Sequence, residues 1–479
     1  MFSGVSSKVK LTPEQAAPTT ERALLLVAVG TALVLVTYVT PMATVPQTSL
    51  DLGAGSGARA WILSSMSVGL AAALLGSGTV GDAVGRRRTY VAGLVLLGLG
   101  SLGCAVAPGT VVFITARVVE GVGGAAVLAC GLAVLAHAFP APAERARATG
   151  LWGASVGLGI SAGALLAAGL DVGTGWRETY AVVGLVTLAL VVPSRLLPES
   201  TSEHARRIDV AGVATLAVAL TLLVSGLTEV RSGVSTGSVL LLVGGAVGLT
   251  AYVVIEARVT EPMLDLALLR SPAFLAATTG ALLLGLGVIA MTSNVPTLVQ
   301  LGLGGTLWTA TWLVLGWSVA SVVASLVVRR VPIPLSGPAL IAVASAVVGA
   351  GQLLALGIST DSSAWRLLPS MVVAGLATGV LNAVLGREAV ASVPADRSAM
   401  GSGSNNTARY LGAACGITVF SVLLSHAGTG PGAAGLVDGW SVAVLVSALV
   451  SLVGAGLIGV VAAYSTRWVK RDRGVTRKS

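Results

Sequence analysis

Apolar stretches long enough to cross a lipid bilayer recur fourteen times along this chain, divided by short polar segments. A hydrocarbon core about 30 Å thick needs about 20 apolar residues at roughly 1.5 Å each. The spans read approximately 23–46, 60–81, 89–107, 110–137, 148–170, 179–197, 210–228, 237–256, 273–301, 308–328, 337–358, 366–386, 400–425 and 441–464. Threaded from an inside N-terminus, 23 of the 29 Lys and Arg fall on one side. Arg59, Arg177, Arg231 and Arg366 fall on the other, and Arg117 and Arg409 lie within spans. Basic loops stay cytoplasmic, so both termini are placed there. The chain reads as an all-α, multi-pass protein of the inner or plasma membrane.

Of the 479 residues, 54% are hydrophobic and 10% are charged, which excludes an ordinary soluble domain. The net charge of +9 sits in short loops between spans, so sidedness explains it and no nucleic-acid partner is implied. The 62 Gly suit closely packed membrane helices. Cys104, Cys130 and Cys415 fall within spans, and His137, His204 and His426 are scattered. Neither set suggests a disulfide framework or a metal site. Residues 1–20 are polar and the first apolar run is too long for a signal-peptide core, so it is expected to remain as an anchor.

Two polar breaks organise the spans: residues 198–209 (PESTSEHARRID) and 256–270 (EARVTEPMLDLALLR). They divide the chain into an N-terminal cytoplasmic tail (1–22), a six-helix bundle (23–197), a linker with two inserted spans (198–270), a second six-helix bundle (271–464) and a basic cytoplasmic tail (465–479). Trp61, Trp176, Trp308, Trp365 and Trp440 fall at predicted outer ends and Trp152 and Trp468 at inner ends, where indoles anchor to the interface. Trp317 is mid-span, and packing and substrate stacking are both open to it.

Between spans two and three the sequence reads GTVGDAVGRRR over residues 78–88. Positive-inside topology needs only the arginines. Gly85 permits a tight turn with positive φ, and Asp82 can accept hydrogen bonds from a neighbouring helix N-terminus or from an arginine, forming a latch. The stretch resembles the loop signature of the major facilitator superfamily. Arg117, with Gly121 and the small residues through Ala126, is similar to that family's fourth-helix motif. Gly153 to Gly169 is similar in glycine spacing to the motif of drug/proton exchangers, with Ala164 after Gly163 and Ala167-Ala168 as departures. Trp176-Arg177 with Tyr180, the segment from Glu256 to Pro262, and Arg409-Tyr410-Leu411-Gly412 extend the resemblance to the 14-span drug:proton antiporter branch. It implies a major-facilitator fold, two six-helix bundles plus two inserted helices. It also implies a gating role for Asp82, Gly85 and Arg86 and a coupling role for Arg117.

Two positions depart from the pattern. An acid usual early in span one is Thr37 here, and a nearby amide is Met42. The second-half copy of the loop signature keeps Arg329-Arg330 without an Asp beside them.

Charges inside a bilayer are costly and functional by default. Arg117 and Glu120 are three apart, hence on one helix face, with Glu120 placed near the membrane middle. Three readings stand: Glu120 neutralises Arg117 as a structural lock, it loads and releases a proton as the pair rearranges, or it contacts substrate directly. Arg409, following Asn405 and Asn406, faces a cavity or another helix. Asn294, Gln300 and Asn382 are further cavity candidates.

The lysines, Lys8, Lys10, Lys470 and Lys478, lie near the termini, so no phosphate-binding loop is present for an ATP-driven pump. No catalytic constellation points to an enzyme, and polar residues at mid-depth between two bundles suit a carrier better than a pore. The resemblance implies export of lipophilic small molecules against protons by a monomer that uses no cofactor beyond the proton gradient. An exporter of lipid or endogenous metabolites with weak or absent coupling is the alternative, an importer the third reading. Two interior arginines against one acid favour neutral or anionic cargo.

Overall fold

The computed structural model describes residues 13–170, 174–202, 209–230, 233–259, 262, 264, 266–328, 330–331, 334–428 and 432–475. His204, Arg231 and Arg329 lie outside the described residues, as do the side chains of Arg59, His426 and Trp468. All regular structure among the described residues is helical.

Fourteen helices follow in order: α1 (Pro13–Asp51), α2 (Ser56–Val84), α3 (Arg86–Ala105), α4 (Thr110–Ala138), α5 (Pro142–Gly169), α6 (Arg177–Ser194), α7 (Val210–Val230) and α8 (Thr236–Glu256). Then come α9 (Pro272–Gly302), α10 (Leu307–Val328), α11 (Gly337–Leu353), α12 (Leu368–Ala391), α13 (Ser398–His426) and α14 (Gly432–Val475). Thirteen of these are long and apolar enough to cross a membrane, and α11, at 17 residues, is apolar but shorter. The sequence reading carried that span to residue 358, whereas the helix stops at Leu353 and the chain turns. Helix continues from the end spans into both tails: α1 begins at Pro13 and α14 runs through to Val475.

Local chemistry explains several ends. Pro142 and Pro272 open α5 and α9, where a missing N–H costs nothing. Ser235 and Ser238 form a reciprocal cap on α8. Gly85 separates α2 from α3 with φ of 134°, a conformation that side chains resist.

One large apolar cluster is built from α9–α14, and another mainly from α1–α6. In the first half α2 and α3 pack on α4, α1 on α5 and α3 on α6; in the second, α10 packs on α12 and α11 on α12 and α14. Helices α7 and α8 pair with each other, and α7 rests on α2 and α13. Leu240, Val243, Val247 and Val253 leave α8 with an exposed apolar face suited to lipid. The halves meet along α2 and α4 against α13, and α5 against α10 and α12.

The indoles divide differently from the interfacial expectation. Trp308 and Trp365 are exposed, but Trp152, Trp176 and Trp440 are fully buried. Trp176 packs edge-on with Phe113 and Tyr180, and Trp440 with Phe420, because these helix ends abut other helices rather than lipid.

Candidate functional site

Asp82 sits at the end of α2, one turn before Gly85 reverses the chain into α3. Its Oδ1 accepts from Arg86 Nε at 2.8 Å and from the Ala399 N–H at 3.2 Å, and its Oδ2 from the Met400 N–H at 2.9 Å. The last two are free N–H groups of the first turn of α13, where a carboxylate is favoured. Arg86 Nη2 donates to the carbonyls of Ala395 and Asp396, each at 3.1 Å. Asp82 and Arg86 are both buried. The loop therefore clamps the first half onto the entry to α13. Behind it, Glu199 accepts from the Arg87 N–H at 3.0 Å and pairs with Arg87 and Arg88.

Further contacts between the halves lie on this same side. Ser402 Oγ donates to the Leu128 carbonyl at 3.1 Å and Trp152 packs over Gly386. Together they close the side that carries Arg86–Arg88. At mid-depth Ser318 Oγ of α10 donates to the Gly157 carbonyl of α5.

Deeper in the first half lies an internal ion pair. Arg117 Nη1 donates to Glu120 Oε2 at 2.7 Å and to the Thr37 carbonyl of α1 at 2.7 Å. Ser101 Oγ of α3 donates to Glu120 Oε1 at 2.6 Å. Both charged side chains are 0% exposed. Glu120 is ten residues from the outer end of α4 and eighteen from the inner one, so it lies in the outer half of the span rather than near its middle. Arg117 Nε and Nη2 find no acceptor among the described residues. On α1 the hydroxyls of Thr37, Thr40, Thr44 and Thr48 each bond the carbonyl four residues earlier, which lets a polar face exist inside an apolar bundle.

A cavity with an empty volume of about 990 Å³, including its mouth, lies between the halves. Its walls come from α1 (Leu35 to Ala43), α5 (Val156, Ile160, Ala164), α9 (Leu284 to Pro296), α10 (Ala310 to Trp317), α12 (Thr378, Asn382) and α13 (Arg409, Tyr410). They are mostly apolar. Tyr38 and Tyr410 meet edge-on at 5.5 Å between ring centres. A second, more polar chamber shares Tyr38, Met42 and Ser293 with it and extends between α2, α7, α9 and α13, lined by Asn294 of α9 and Ser421 of α13.

The sequence-derived candidates thus separate. Asp82, Gly85 and Arg86 meet in the latch, and Arg117 and Glu120 meet each other away from the cavity lining. Arg409, Trp317 and Asn382 line the central cavity and Asn294 the second chamber. Asn405 and Asn406 line neither: Asn405 Nδ2 donates to the Ala277 carbonyl of α9 and Asn406 Nδ2 to Ser402 within α13. Gln300 is exposed, its amide on the Pro296 carbonyl. Residues that sequence reasoning passed over include Tyr38 in the cavity wall, Glu199, and Glu229, which accepts from Trp61 Nε1 at 2.6 Å. Each depends on contacts between distant segments, and only the tyrosine's place mid-span in α1 hinted at a role.

A latch on one face, a cavity between two helical halves and lipid-suited outer surfaces define a multi-pass membrane transporter rather than an enzyme. Residues 27–417 match the Major Facilitator Superfamily, and the chain belongs to that family. It is 30% identical to the multidrug resistance protein Stp of Mycobacterium tuberculosis, over 79% of this chain and 71% of that one. It is 31% identical to a probable actinorhodin transporter of Streptomyces coelicolor (79% and 68% covered) and 30% identical to the puromycin resistance protein pur8 of Streptomyces alboniger (83% and 82%). Among solved structures, the fold is similar to the human organic anion transporter MFSD10 (TM-score 0.65, 16% identity, 92% of this chain and 100% of that one). It is likewise similar to the proton:xylose symporter XylE (TM-score 0.66, 13% identity, 92% and 95%). The protein is a multi-pass transporter of the plasma membrane.

Proposed function

We propose that this chain exports lipophilic or amphiphilic small molecules in exchange for protons, acting as a monomer by alternating access between residues 23–197 and 271–464, with the inserted pair in 198–270 at their flank. One observation carries the reading: a largely apolar cavity lies between the halves while the seams around Asp82, Ser402 and Trp152 close its cytoplasmic side. That is the geometry of a carrier caught with its cargo chamber turned outward. The drug-resistance relatives support export as the direction.

For coupling we assign Glu120. Span one holds Thr37 where related exporters carry an acid, and Arg117 reaches the Thr37 carbonyl while taking its ion-pair partner from its own helix. Protonating Glu120 would free Arg117 from that partner. The guanidinium would then bear more heavily on α1, which also walls the cavity through Leu35, Tyr38 and Val39. A proton would in this way bias the helix that cargo touches.

Glu120→Gln, which resembles the protonated acid, is expected to abolish uptake driven by a pH gradient in inverted vesicles while leaving exchange of labelled for unlabelled cargo. Persistent gradient-driven flux would make the pair a structural lock. It would favour the second reading, an exporter of lipid or endogenous metabolite without proton coupling, to which the absence of an acid at Thr37 already points.

A further inference from the structure

Arg117 and Arg409 are the two arginines placed inside spans by the sequence, and the structure treats them oppositely. Arg117 has Glu120 at 2.7 Å and stands apart from the cavity. Arg409 lines the cavity, is 4% exposed, and forms no ion pair among the described residues. Its Nε and Nη2 have no acceptor there either. It lies eleven residues into α13, about 16 Å from the cytoplasmic end at the helical rise. Lone guanidinium groups at such depth are costly unless an anion meets them.

Two more polar atoms of the same wall are unmatched: Trp317 Nε1, a donor, and Asn382 Oδ1, an acceptor, on side chains 4% and 2% exposed. Their neighbours Leu35, Val156, Leu284 and Val288 are apolar. Among the described residues no Asp or Glu lines this cavity, so its wall offers an ammonium group no opposite charge, while Arg409 repels one. Planar guanidinium is the side chain best matched to a carboxylate, which it can grip with two parallel hydrogen bonds.

We propose that the cavity selects organic anions: molecules with a bulky apolar body and one carboxylate, the carboxylate seated on Arg409 and the body against Trp317, Tyr38 and Leu284. This rests on the export reading above and names its cargo class.

The test uses anthracene carboxylate, its uncharged methyl ester and the cationic aminomethyl analogue. Binding to the full chain in lipid nanodiscs is followed by fluorescence anisotropy against empty discs. The carboxylate is expected to bind on the order of tenfold tighter than the ester, the scale of one charge-assisted hydrogen bond, with the amine weakest. Arg409→Gln is expected to bring the carboxylate down to the ester's affinity and leave the ester unchanged. An ester or amine that matches the carboxylate on the wild-type chain overturns the proposal, as does binding of none of the three. That comparison needs no variant to fold. The same probes are then followed in export from vesicles. Equal export of all three removes the anion site and leaves export standing, whereas selective binding of the carboxylate with no movement of any probe keeps the site and removes export.

Discussion

Asp82 combines three acceptor contacts on its two carboxylate oxygens: an arginine one turn on in its own loop and two helix-end N–H groups from the opposite half. Asparagine keeps the shape but loses the charge that both Arg86 and the α13 terminus favour. Charged hydrogen bonds of this kind are worth about 2 kcal/mol, roughly thirtyfold in the balance between two conformations. Asp82→Asn is therefore expected to shift the resting population toward a chamber open to the cytoplasm. Export from vesicles should slow by at least tenfold at unchanged expression, and a wild-type rate would remove the latch from the mechanism. This residue was legible in the sequence because a carboxylate at a helix end, a glycine and an arginine follow within one short loop. The same local logic found Arg117 with Glu120, three apart on a helix. It could not tell Arg409 from Asn405 and Asn406, which share its stretch. Asn405 lies four residues before Arg409 and turns its amide to α9, and only the packing of α13 decides that.

Among the elements, α9 is where sequence and structure diverge most. It reads as one apolar span, yet its turns widen to π geometry at Leu284–Ile289 and again at Leu298–Gly302. Pro296 has no N–H to return to the Thr292 carbonyl, so the ladder breaks just before the second widened turn. The first widened turn lies where α9 presses on α13: a Cβ on Gly285 would strike the Arg409 carbonyl, and one on Gly412 the Leu282 carbonyl. Hydropathy registers neither effect, since both arise from backbone contact across helices. Close approach here sets the position of Arg409 against the cavity. Gly412→Val is expected to cost about 1–3 kcal/mol through overpacking and to lower the apparent Tm in detergent together with probe binding. Gly456→Val is the control, because nothing lies within 4 Å of a Cβ at that exposed site on α14. Equal thermal shifts in the two variants would mean that the seam between α9 and α13 holds nothing in place.

Across the whole molecule, the basic loops fix which side is cytoplasmic, and the contacts between halves fix which side is shut. Asp82 at Met400, Ser402 at Leu128 and Trp152 over Gly386 all lie toward Arg86–Arg88. The cavity wall on α10 instead runs from Ala310 to Trp317, the part of that helix nearer the opposite face. Hydropathy gives the weave but says nothing of this asymmetry, because either closure would leave the same spans in the same order. Thiol chemistry can read it directly. In a chain with Cys104, Cys130 and Cys415 replaced by alanine, Thr311→Cys should react with a membrane-impermeant maleimide supplied from outside. Ser325→Cys, whose native hydroxyl is buried against the Gly379 carbonyl, should resist the same reagent supplied to inverted vesicles. Adding Asp82→Asn to each should reverse the pattern, since weakening the latch trades one opening for the other. If Thr311→Cys stays protected and Ser325→Cys labels in the chain with Asp82 intact, the resting carrier faces the cytoplasm, and the contacts around Asp82 belong to a minor state.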